Sequence, residues 1–124
     1  MGGGAAEDSG RRPSVTATSA PGPRKNFNDF VEGLRREGYA VKLDALVAGK
    51  SGVVHRFDLL AERAGGGKKK TIVCMKGRGR NPAEEMIGLF VMAFDVGAEP
   101  CYVMQGSVEE KLAESYGITL LTGE

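Results

Sequence analysis

The chain has 124 residues, which suits one domain with its own core. Its 17 basic and 16 acidic side chains leave a formal charge of +1, so overall charge selects no partner and only local clusters are informative. No stretch is long and apolar enough to span a membrane and no apolar signal region opens the chain, so the expectation is a cytoplasmic protein. MGGGAA resembles a myristoylation signal only loosely, because Ala6 stands where such a signal takes Ser or Thr. Cys74 and Cys101 both fall in apolar, strand-like runs, as buried thiols do in a reducing compartment. With His55 as the one histidine, a zinc site of Cys and His ligands is not expected.

Residues 1–25 are rich in Gly, Ala, Ser, Thr and Pro and nearly free of large apolar side chains, the composition of a disordered tail. Arg11, Arg12, Arg24 and Lys25 are its scattered cations. The folded part is expected over 26–124. Asn26 is an N-cap, and Phe27, Phe30, Val31 and Leu34 repeat with helical spacing until Gly38. Tyr39 to Ala48 reads as a strand, Gly49-Lys50-Ser51-Gly52 as a turn, Val53 to Ala61 as a second strand and Thr71 to Lys76 as a third. Gly65, Gly66 and Gly67 join the second and third strands, which should therefore lie antiparallel. Asn81-Pro82-Ala83-Glu84 opens a helix running to about Val96, stopped by Gly97. Cys101 to Gln105 is a short strand. Ser107 and Glu110 form a second capping box, the helix ends before Gly117, and Ile118 to Leu121 is the last strand. The order αβββαβαβ, with its closing strand-helix-strand crossovers, predicts an α/β fold: a mixed central sheet flanked by helices.

Two residues invite a site. Asp58 sits inside an apolar strand, where a carboxylate is rare unless it is paired or binds a metal. The plainer alternative is an acid paired with Arg56 or Lys76. Lys76 ends the neighbouring strand and shares a face with Cys74 by simple alternation. A carboxylate holding a divalent cation beside a lysine that steadies phosphate suits metal-assisted phosphodiester cleavage. Cys74 occupies the place where a second carboxylate is wanted. Arg78 and Arg80, between glycines and just before a helix N-terminus, form a candidate phosphate seat; a solvated loop is the equal alternative. AGKSG is not a nucleotide-binding loop, since Asp44 stands in place of its first glycine and a strand follows it. Lys50 and Ser51 are instead candidate contacts to DNA phosphates, or simply a turn. The helix after Pro82 is apolar around most of its circumference, which predicts packing on two sides and a homodimer.

The segments SGVVHRFDLLA, TIVCMKGRGR, FVMAFDVGAEPCYVM and LAESYGITLL, in this order, resemble the restriction-endonuclease-like nucleases, PD-(D/E)XK in pattern. The likeness is to Mrr-type and archaeal Holliday-junction-resolvase-like members and covers residues 26–124. It implies a magnesium- or manganese-dependent endonuclease acting on DNA, with Asp58 as metal ligand and Lys76 as catalytic lysine. Cys74 departs from the motif's second acid, and Glu84 or Glu85 would have to supply the missing ligand. Asp29 and Glu32 in the first helix fall away from its apolar face. The resemblance therefore implies either a nuclease of weakened activity or an inactive relative that binds DNA or serves as an assembly subunit.

Overall fold

The structure, a computed structural model, describes residues 25–106 and 108–123. The predicted tail, apart from Lys25, and the Ser107 cap lie outside the described residues. The elements follow the expected order: α1 (Phe27–Arg36), β1 (Ala40–Ala48), β2 (Val54–Gly65), β3 (Lys68–Lys76), α2 (Pro82–Val96), β4 (Glu99–Met104), α3 (Glu110–Ser115) and β5 (Thr119–Thr122). The strands form one mixed sheet in the order β1-β2-β3-β4-β5. β2 pairs antiparallel with β1 on one side and β3 on the other, whereas β4 and β5 each join in parallel after a helical crossover. No helix among the described residues is long and apolar enough to cross a membrane.

Local chemistry sets the element ends. Asn26 caps α1 by accepting the Asp29 N–H at 2.8 Å, and Asn81 caps α2 by accepting the Glu84 N–H at 3.2 Å. Gly97 closes α2 in the left-handed conformation, φ 72°. The β2–β3 turn is tighter than the run of three glycines suggests. Gly65 pairs with Lys68, leaving a two-residue loop of Gly66 and Gly67 at φ 58° and 78°. Two successive positive φ values make this the hairpin turn that matches strand twist. β3 consequently starts at Lys68, not Thr71. Lys68, Lys69 and Lys70 are paired with β2, and Lys69 Nζ meets Glu62 at 2.8 Å.

The sheet separates two cores. On one face α1 contributes Val31 and Leu34, which pack with Leu59, Ala61, Cys74, Cys101, Val103 and Leu121. On the other, Met86, Leu89 and Ala93 of α2 and Ala113 of α3 pack with Phe57, Val73, Tyr102, Ile118 and Leu120.

Phe57 and Leu59 therefore belong to opposite cores, although residues two apart on a regular strand share a face. The same swap occurs on β1, where Val41 packs with the α1 core and Val47 with the α2 core. Both strands change faces at the level of Asp44 and Asp58 without losing register, since Leu43 pairs with Leu59 and Ala45 with Phe57. Asp44 carries the distortion at φ 51°, the one non-glycine positive φ among the described residues. Asp is among the few side chains that tolerate this region. Beyond this point the β1–β2 pairing continues to Ala48 and Val54 without β3 beside it, and the hairpin turn bonds to the last turn of α2, the Lys50 backbone N–H to the Asp95 carbonyl at 2.9 Å.

Candidate functional site

Asp58 stands where β2 parts from β3. Regular pairing between them ends at Leu59 and Cys74, so the Lys76 N–H has no β2 carbonyl to meet. The Asp58 carboxylate takes its place: Oδ2 accepts that N–H at 2.7 Å, and Oδ1 accepts from Arg56 at 3.2 Å. Arg56 also donates to Asp44 across the hairpin, and Asp44 before Asp58 pushes the guanidinium pKa upward. At 15% exposure the Asp58 side chain splints a fork in the sheet. Lys76 reaches it through the backbone only. The Lys76 ammonium lies over the Phe27 ring, 4.9 Å from its centroid, on the α1 side.

Cys74 shares that side with Lys76, as alternation predicts, but is sealed in the α1 core at 0% exposure. Its partner across the parallel pair is Cys101, also buried. The contact with Cys74, then burial, push the Cys101 thiol upward. Glu84 is exposed at the start of α2. Glu85 is turned to the opposite side of the sheet from α1, where it accepts the Tyr102 hydroxyl at 2.6 Å and the Arg78 N–H at 3.1 Å. Burial, then this carboxylate, hold the Tyr102 hydroxyl up in its protonated form. Gly77 is required beside it, because a Cβ there would collide with the Tyr102 hydroxyl.

These placements bear on a divalent cation. Magnesium takes hard oxygen ligands in octahedral array. Asp58 has both oxygens engaged, Cys74 offers no oxygen, and Glu85 is committed to Tyr102 and Arg78. Among the described residues no cluster of three or more His, Cys, Asp or Glu side chains is placed to hold a metal. The donor set does not fit the ion.

The cations divide into two places. Lys76, Arg78 and Arg80 are exposed and consecutive to the end of β3, next to the N-terminus of α2. Lys50 and Ser51 sit at the other end of that helix, about 20 Å away for 15 residues at 1.5 Å each. The Lys50 ammonium lies 5.9 Å from the Phe94 ring centroid, and the Lys50 backbone N–H donates to the Asp95 carbonyl at 2.9 Å. Ser51 donates to Asp95 through its N–H at 2.9 Å and its hydroxyl at 2.6 Å. His55 Nε2 meets the same carboxylate at 2.7 Å. The Ser51 hydroxyl, then His55, hold Asp95 down at about 2 from an ordinary 3.8. Gly49 lets the loop approach, since a Cβ there would run into the Asp95 carboxylate.

Asp95 is therefore the pin that holds the hairpin to α2. It was missed among the candidate residues, yet it left a trace in the sequence. An acid in the last turn opposes the helix dipole and needs compensating donors.

No protein-family model matches the chain, and no curated protein matches it. Among solved structures it is similar to the crystal structure of a protein of unknown function, AF1548, with 26% sequence identity and a TM-score of 0.49 over 73% of this chain and 53% of that one. The chain thus spans about half the length of that protein.

Proposed function

We propose that this chain is a DNA-binding protein of restriction-endonuclease-like fold that engages the phosphate backbone and has lost efficient metal-dependent cutting. The observation that carries this reading is the state of Asp58. It stands at the end of the β2–β3 pairing, at the residue the family resemblance makes the metal-binding acid, but both its oxygens serve the fold. The neighbouring carboxylate, Asp44, faces it across the hairpin, but the Arg56 guanidinium is bonded to both and occupies the place a cation would take. DNA is the expected partner because Lys76, Arg78 and Arg80 crowd one short exposed segment at the carboxyl ends of two parallel strands. The adjacent start of α2 adds its positive dipole end.

The second reading, an active magnesium- or manganese-dependent endonuclease of the Holliday-resolvase type, is favoured by one fact: the Asp58 carboxylate and the Lys76 backbone N–H meet at 2.7 Å, although the Lys76 ammonium lies over Phe27. A nicking assay on supercoiled, linear and four-way-junction DNA separates the two. With magnesium, the proposal expects binding without turnover, and manganese supplies no more than a trace. Magnesium-dependent cutting that Lys76→Ala abolishes would establish the second reading instead.

A further inference from the structure

Among the described residues the outer face of α2 stands largely open. Met86, Leu89 and Ala93 fill the core, while Ile87, Val91 and Phe94 form a stripe 41%, 57% and 72% exposed. Gly88 lies in the middle of this stripe. It interrupts a helix, where glycine is less favourable than alanine, and a Cβ added there would meet nothing within 4 Å. No described residue requires a glycine at this place. A second helix crossing closely over it does, because the missing side chain lets two backbones approach.

Charge identifies that second helix. At 100° per residue, Glu84, Ile87, Gly88, Val91 and Phe94 fall within one arc of α2. Glu84 is the exposed acid at its first turn. The exposed Lys50 is the cation at its last turn, held over Phe94. An antiparallel copy of the same face, crossing between Gly88 and Val91, brings Glu84 of each helix to the Phe94 end of the other. There it meets Lys50. The surface is thus complementary to itself in shape and in charge, as a two-fold interface must be.

We infer that the occupant is a second copy of this chain, docked α2 against α2 in antiparallel register, with Gly88 at the crossing and Glu84 paired to Lys50 of the partner subunit. This goes beyond the nucleic-acid reading and does not depend on it. If both hold, the two-fold duplicates the Arg78 and Arg80 segment at the two N-terminal ends of the helix pair.

Sedimentation equilibrium on the full chain tests it with variants of opposite sign. Gly88→Leu should leave the monomer folded, with an unfolding midpoint equal to or above the parent's, and yet weaken association by at least about tenfold. Glu84→Lys and Lys50→Glu should each weaken the dimer, and the double exchange should restore it. A parent that remains monomeric across the micromolar range overturns the inference and leaves the stripe to a different partner. A dimer indifferent to Gly88→Leu overturns it too, since the contact then lies elsewhere. Loss with Gly88→Leu but no rescue by the charge exchange overturns the antiparallel register.

Discussion

Replacing Asp58 by alanine separates a structural acid from a functional one. The carboxylate accepts the Lys76 N–H at 2.7 Å from a side chain that is 15% exposed. Truncation removes a hydrogen bond to a charged group, which contributes about 1.5–3 kcal/mol. The lost contact with Arg56 adds little, about 0–1 kcal/mol, because Arg56 is half exposed and keeps Asp44. Asp58→Ala should therefore destabilise by about 1.5–4 kcal/mol. Asp58→Asn retains an oxygen that accepts the N–H and should lose only about 1 kcal/mol. Urea unfolding followed by circular dichroism, with the slopes compared so that only midpoint changes are read as stability, gives both values. An alanine variant within about 0.5 kcal/mol of the parent, or more stable, refutes the splint. That outcome would mean the carboxylate is kept for a ligand at the expense of the fold.

Further outcomes follow from the same contacts. Asp95 is held at about 2 against an ordinary 3.8, so its contribution is complete above the higher value and lost as pH falls toward the lower; urea midpoints of the parent should decline through this window, and Asp95→Asn should remove part of that slope. Gly49→Ala drives a methyl into the Asp95 carboxylate and should destabilise by about 1–3 kcal/mol. Gly33→Ala, in open space within α1, should stabilise by about 0.5–1 kcal/mol, and the two signs together test the pin by urea unfolding. Cys74→Glu, the change that would restore the acid of the nuclease motif, places a carboxylate in a core position that is 0% exposed. It should destabilise by about 3–5 kcal/mol without recovery in magnesium, as read by unfolding with and without the ion.

The element order was legible because each boundary carries its own chemistry: Asn26 and Asn81 as caps, Gly97 as a stop, glycines at the hairpin. The hairpin register needed the exact pairing of Gly65 with Lys68, which a run of three glycines leaves open. The face of Cys74 and Lys76 followed from alternation, and it holds because β3 is regular. Alternation failed at Asp58, where β1 and β2 change faces together. That swap depends on Asp44 adopting a positive φ opposite Asp58, a long-range match that no local period records. For the same reason Lys50 and Ser51 were grouped with Arg78 and Arg80. The hairpin beyond the swap runs on past the end of the β2–β3 pairing, and Asp95 fastens its tip to the C-terminal end of α2.

The most direct test of the central claim is binding of a fluorescently labelled duplex, by anisotropy, in chelator and across a salt titration. The account predicts binding that survives without divalent metal and weakens steeply with salt. In Arg78→Ala/Arg80→Ala it predicts a lower affinity and a logarithmic slope shallower by about 0.9 for each lost phosphate contact. A parent that binds only when magnesium is present, or a double variant that binds as the parent does at every salt concentration, would contradict it.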